Sequence, residues 1–284
     1  MRLIANQHLL LVLYLAGCVS SRPPQPTVPI PSPSVPEAVN AAPNPWSFSF
    51  TPGTAAYRIS RAAAIEDSDS ATRREISTNS SYESITLHLI ADTIGFTAVV
   101  DTFSTTTQGV IAPAQVTQLP LQLSGFRIGD SLVIASDSSA EKCNPVTTEL
   151  ITDLHNLLPQ FPAILSTNLI WKDSTHLHGC QGSITTESYV SRSYRVIGES
   201  TYESVPVVVI QRTDTIQAAG EGAQQQHRLL LDARGAGNAT YYLDASSGRV
   251  LHLSVTQDLN LTITASGKTN HFRQNTKQEF ALVR

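Results

Sequence analysis

The stretch Leu251-His-Leu-Ser-Val-Thr-Gln-Asp-Leu-Asn-Leu-Thr-Ile263 carries a large apolar residue at almost every second position. That period marks a β-strand with one buried face, because successive side chains leave a strand on opposite sides. Asp258, Asn260 and Thr262 fill the alternate positions, so the second face of this strand meets water. Working outward, the same period recurs at Val205, Val207 and Val209, at Leu121 and Leu123, and at Ile85, Leu87 and Leu89. Turn chemistry falls between the runs, at Ala91-Asp-Thr93, Gly129-Asp130, Arg234 to Asn238, Asp244-Ala-Ser-Ser-Gly248 and Ser266-Gly-Lys268. There glycine supplies positive φ, and Asp or Asn bonds back to the backbone. From Tyr189 onward the chain reads as a meander of about six antiparallel strands, since a parallel sheet would need helices between strands and none is available.

One segment departs from this period. Asn144 suits an N-cap and Pro145 the first helical position, after which Leu150, Ile151, Leu154, Leu157 and Leu158 fall at helical spacing until Pro159. The pattern predicts an amphipathic helix over 145–158 whose apolar stripe covers the sheet. The expected fold is mainly β, a curved antiparallel meander sheet or half-barrel with this one helix packed on it. A faint echo pairs Tyr57-Arg-Ile59 with Tyr194-Arg-Val196, and Ser81-Tyr-Glu-Ser-Ile85 with Thr201-Tyr-Glu-Ser-Val205. Duplication and chance account for it equally well.

The N-terminus reads as a signal peptide over 1–17: Arg2, the apolar run Leu9 to Leu15, then the small residues Ala16-Gly17 directly before Cys18. The run is far shorter than the roughly 20 apolar residues that span a bilayer. Leu15-Ala-Gly-Cys18 resembles the lipobox of bacterial lipoproteins, in which the cysteine is acylated and becomes the new N-terminus. The resemblance implies a lipid anchor on Cys18, and two or three acyl chains hold a membrane where one does so only marginally. Position 19 is Val and not Asp. The lipobox family's sorting rule therefore implies the outer membrane of the cell envelope. Residues 18–45 form the anchor and a tether with nine of the sixteen prolines, counted from Pro23 to Pro45. Such a segment favours polyproline II at about 3.1 Å per residue and lifts the domain, 46–284, off the membrane.

The charge balance, 19 Lys and Arg against 23 Asp and Glu, offers no basic surface for nucleic acid. Cys143 and Cys180 form an even pair in an exported chain, for which a disulfide is the expectation. An alternative stays open. His176, His178 and Cys180 alternate along one strand and would point to one face, where zinc or copper could bind with His155 as a fourth ligand.

No catalytic or cofactor signature survives a close reading, and under the disulfide expectation no metal site is assigned. Gly267-Lys-Thr269 looks like the end of a phosphate loop, but Thr262 stands where the first glycine belongs, so a turn is expected. Ser139-Ala-Glu-Lys142 lacks the partner elements of the serine–lysine enzymes. Glu66, Asp67 and Asp69 read as a solvated loop, and Asn79, Asn238 and Asn260 head glycan acceptor triplets only in a host that glycosylates them. Trp46, Phe48, Phe50, Trp171 and Tyr241-Tyr242 read as packing aromatics and not as a stacking platform.

Anchor, tether, β-meander and apolar helix together are similar in architecture to the periplasmic lipoprotein carriers and the mycobacterial lipid-binding lipoproteins, in which helices close an incomplete barrel over an apolar cavity. No signature residue of either family is matched, so none is carried over. The resemblance implies a non-enzymatic lipoprotein that binds a lipid or other apolar ligand, lined by Leu150, Ile151, Leu154, Leu157 and Leu158. The competing expectation is a structural lipoprotein with a filled core that meets another envelope protein.

Overall fold

The computed structural model describes residues 45–69, 75–90, 95–109, 119–128, 131–135, 145–181, 184–224 and 227–283. In chain order the strands are β1 (Trp46–Ser47), β2 (Gly53–Asp67), β3 (Glu75–Ile90), β4 (Gly95–Gly109), β5 (Leu121–Ile128), β6 (Ser131–Ala135), β7 (Ile164–Leu165), β8 (Ile170–Gln181), β9 (Ile184–Tyr202), β10 (Val205–Gln224), β11 (His227–Asp244), β12 (Arg249–Ala265) and β13 (Lys268–Val283). Helix α1 (Pro145–Leu157) lies between β6 and β7. Its hydrogen-bond ladder runs one residue further, with Leu158 N donating to Leu154 O at 2.8 Å, and Pro159 ends it because proline has no amide hydrogen.

Eleven strands form one antiparallel sheet in the order β6-β5-β4-β3-β2-β13-β12-β11-β10-β9-β8. The fold is thus mainly β, a curved open sheet with one helix packed on it. Two meanders build it, β2 to β6 and β8 to β13, and they join where β2 pairs with β13. Among the described residues the outer strands β6 and β8 do not pair with each other, so the sheet is not closed into a barrel. The strands are long: β10 has 20 residues, about 65 Å at 3.3 Å per residue. Bulges at Val209/Ile210, Ser84/Ile85 and Tyr242/Leu243 bend them.

Leu253, Val255 and Leu261 of the diagnostic stretch are buried in β12, while Thr256 and Asn260 on the alternate positions are exposed. In β10 the inward set is Val208, Ile210, Arg212, Asp214 and Ile216, while of the expected Val205, Val207 and Val209 only Val207 is buried, at 3%, on the opposite parity. The run from Val207 to Ile210 is apolar at both parities, so its period could not choose a face. Arg234 to Asn238 is also no turn but the middle of β11. Gly235 serves close strand approach there, since a Cβ at that position would collide with the Asp258 carbonyl. The turns at Asp244–Gly248 and Ser266-Gly267 form as expected. Ser266 (φ 51°) and Gly267 (φ 77°) make a two-residue hairpin turn, which places Lys268-Thr269 at the start of β13 and not in a phosphate loop. The echo fails at its second motif, because residues 81–85 lie within β3 whereas Glu203 and Ser204 form the turn between β9 and β10.

Candidate functional site

Helix α1 lies inside the trough alongside β8. A Cβ at Gly179 would collide with Thr148 near the start of the helix, and Trp171 Nε1 donates to Gln160 O, 3.0 Å away, just past its end. Helix and strand therefore run in opposite directions. Leu150 and Leu154 keep no accessible surface and Leu157 and Leu158 only 2%, while Ile151 is half-buried against the same core. A side chain bordering even a water-sized space retains some accessible area, so the interval between these leucines and the sheet is filled. The stripe expected to line a ligand site is packed as core. Around its C-terminal end Phe161 sits edge-on to Phe48, Trp171, Tyr194 and Tyr241, and Trp171 stacks on Tyr194 at 4.9 Å. The packing role expected of Phe48, Trp171 and Tyr241 holds, whereas Tyr242 points to the other face and packs with Tyr202 and His252.

Beside the leucines the helix carries Glu149, Asp153 and Asn156, which meet inward-facing polar residues of the sheet. Arg61 Nη1 donates to Glu149 Oε2 (2.6 Å) and Glu83 Oε1 (3.1 Å), and Nη2 donates to both oxygens of Asp153 (3.1 and 3.2 Å). Gln278 Nε2 donates to Asp153 Oδ1 at 2.5 Å. Further along the helix, Arg212 donates to Asn156 Oδ1 (2.9 Å), Tyr241 Oη (2.5 Å) and Asp214 Oδ2 (2.8 Å). Tyr194 Oη in turn donates to Asp173 Oδ2 at 3.1 Å. Cross-strand register sets the two polar groups on one line, since Arg61 lies opposite Gln278, Gln278 opposite Val255, Val255 opposite Ala239 and Ala239 opposite Arg212, and Asp153 and Asn156 of α1 link them across the apolar Val255 and Ala239. A polar belt thus crosses the concave face at mid-height.

Burial dominates its electrostatics. The Glu83 carboxyl is pushed up to about 8 by burial and then by the charge of Asp153, with Arg61 opposing. Burial likewise raises Asp153 to about 6, against Arg61 and the Gln278 hydrogen bond. For Arg61 burial disfavours the charge, but Asp153, Glu149 and Glu83 together outweigh it and hold the group above its ordinary value. Three carboxylates face one guanidinium, so a proton retained by the cluster relieves the excess negative charge. The side chains of Glu83 and Asp153 are 2% and 0% exposed, so neither presents a surface to a substrate. The belt clamps helix to sheet and can bind a proton.

Past the belt, toward the ends where β11 begins and β12 finishes, the concave face becomes apolar again. Ile184, Leu229 and Leu231 cluster there with Ile263, and Ala233, Leu261 and Phe272 with Ile65, Ile76 and Ala218. Among the described residues these clusters are built only from strands of the sheet itself. On the opposite face Ala62, Ala64, Ala236, Asn238 and Asp258 line a depression of about 620 Å³, away from α1.

The belt residues were missed in the sequence although a signal existed. Glu83 and Arg61 occupy the same parity as the apolar residues of their strands, a placement that demands partners, whereas the parity of Arg212 and Asp214 was masked by the doubly apolar run from Val207 to Ile210. Of the proposed metal ligands, His176 and His178 lie on the convex face of β8, whereas His155 lies on α1 within the trough. Glu187 of β9, opposite His178, joins the two strand histidines in place of His155. Cys18 and Cys143 lie outside the described residues, and Cys180 is placed by its backbone in β8.

No protein-family model and no curated protein matches the chain. Solved structures to which it is similar include OmpT, an outer membrane protein of Vibrio cholerae in its trimer form, at 8% identity, covering 82% of this chain and 100% of that chain with a TM-score of 0.17. Another is OccAB4 of Acinetobacter baumannii, at 7% identity, covering 82% and 98% with a TM-score of 0.23. TM-scores this low carry no argument about fold or role.

Proposed function

We propose that this chain is a lipid-anchored lipoprotein of the outer membrane that binds a lipid or other apolar ligand on the concave face of its half-barrel, without catalysing a reaction. The observation that carries this reading is the second apolar zone beyond the polar belt, around Leu229, Leu231, Leu261 and Phe272, which strands alone bury to 5–6% exposure and no described helix covers, so that a ligand would enter by parting these side chains. A ligand would lie there, with α1 as the fixed wall at one end of the trough and not as a lid. No helix among the described residues is long and apolar enough to cross a membrane. The anchor rests on Leu15 to Cys18 and the tether on the prolines that follow.

Native mass spectrometry of the chain carrying Cys18→Ser tests the ligand. Bound lipid that is lost with Leu231→Glu supports the carrier, whereas ligand-free protein that also captures no fluorescent fatty acid removes it. The same variant tests the anchor, since loss of labelled palmitate and release from the membrane fraction are expected. A second reading, a structural or interaction lipoprotein with a filled core, is favoured by the zero exposure of Leu150 and Leu154, and a ligand-free result supports it.

A further inference from the structure

We propose that His176, His178 and Glu187 form a surface site for one divalent transition-metal ion of the zinc and copper class, on the convex face of the edge strand β8. One donor atom from each residue lies within 4.8 Å of the other two. His176 Nε2 is 3.8 Å and His178 Nδ1 3.7 Å from separate oxygens of Glu187. Ligands about 2.1 Å from a tetrahedral zinc stand roughly 3.3 Å apart, so closing a donor set that spans up to 4.8 Å takes side-chain movements of up to about 1.5 Å, within the rotamer freedom of exposed side chains.

The backbone makes that arrangement inexpensive. Two histidines at i and i+2 share one face of a strand, and an antiparallel partner places a third side chain directly opposite one of them. Here His178 pairs in register with Glu187 and His176 with Tyr189. The Tyr189 ring stacks on His176 with centroids 4.1 Å apart and planes within 10°, which restrains that imidazole before any ion arrives. The His176 and His178 rings are themselves only 4.5 Å apart.

Charge agrees with this chemistry. The outward residues around the trio on β8 and β9 are Ser174, Ser191, Tyr189 and Thr185, and the next strand places Gln217, Ala219 and Glu221 opposite Tyr189, Glu187 and Thr185, with Glu221 itself paired to Arg228 of β11. None of the named β8, β9 and β10 neighbours is a lysine or arginine, and the charge of Arg228 is taken up by Glu221. A surface histidine–glutamate ion pair contributes little by itself, so pairing alone gives no energetic reason to gather two imidazoles on one carboxylate. Two imidazoles and a carboxylate suit zinc, copper or nickel over magnesium or calcium. Three protein ligands also leave a position open for water or an incoming donor.

The test is isothermal titration of zinc chloride into the purified full chain in detergent, stripped beforehand with EDTA. Saturable binding of one ion per chain is expected, abolished by His176→Ala or His178→Ala and weakened by Glu187→Gln. These side chains are 39%, 67% and 56% exposed, so the metal-free variants should keep the wild-type circular dichroism spectrum. Electron paramagnetic resonance of the copper(II) form needs no variant and should show hyperfine coupling to two imidazole nitrogens. Absence of saturable zinc binding, or binding that persists in the His176→Ala/His178→Ala double variant, overturns the proposal. The site lies on the face opposite the trough, so this outcome is independent of whether a lipid binds there.

Discussion

Replacing Glu83 with Gln should change how stability depends on pH while leaving the fold intact. Glu83 accepts from Arg61 on an inward position of β3, with its side chain 2% exposed, and its carboxyl sits near 8 against an ordinary value of 4.5. The folded value lies above the unfolded one, so the folded state holds the extra proton. Its stabilising contribution is complete below about 4.5 and is lost as pH rises through about 8. Between about pH 6 and 8 the wild type should lose about 1.4 kcal/mol per pH unit from this group, roughly 2–3 kcal/mol in all. Glutamine keeps the acceptor oxygen for Arg61 and cannot ionise. Its stability should therefore match the wild type near pH 6 and exceed it by a comparable margin near pH 9. Asp153 titrates lower, near 6, and shares its proton with Glu83, so the difference between the two profiles reports the proton that the pair retains. Urea unfolding followed through Trp46 and Trp171 fluorescence measures it. Parallel profiles, or a variant less stable by the same amount at every pH, would show that Glu83 is ionised in the folded state and refute the reasoning.

Leu154→Ala removes a side chain with no exposure from the helix–sheet interface and should cost about 3–5 kcal/mol in unfolding experiments; a loss under 1 kcal/mol would mean that the space beneath α1 can accommodate change, as a ligand site would. Gly248→Ala should destabilise by at least about 1–3 kcal/mol, because φ is 67° and the added Cβ would collide with the Ser49 carbonyl, and an unchanged melting temperature would count against that turn geometry. Non-reducing peptide mapping should link the peptides that hold Cys143 and Cys180, whereas two free thiols in freshly purified protein would exclude the disulfide.

Local pattern reached the elements because each is a statement about neighbours in sequence. Period two placed Leu253, Val255 and Leu261 inside, and helical spacing placed Leu150, Leu154, Leu157 and Leu158 against the sheet. The same patterns could not supply the joint between β2 and β13, since nothing local marks the first long strand as the partner of the last. They also fail where both parities are apolar, as from Val207 to Ile210, and where glycine serves proximity and not a turn, as at Gly235. The polar belt falls between these cases. Parity puts Glu83 inside with Ile85, Leu87 and Leu89, and Arg61 with Tyr57 and Ile59, so their burial was legible and the need for partners followed, whereas the ambiguous period of β10 left Arg212 and Asp214 undecided. Which partners they take was not, because Arg61 reaches Glu149 and Asp153 across 88 and 92 residues and Gln278 reaches Asp153 across 125. The histidine site divides along the same line. His176 and His178 share a face by strand period, but their third ligand is set by the register of the β8–β9 hairpin, which puts Glu187 opposite His178. His155, one residue before Asn156 on α1, belongs instead to the element that fills the trough on the other side of the sheet.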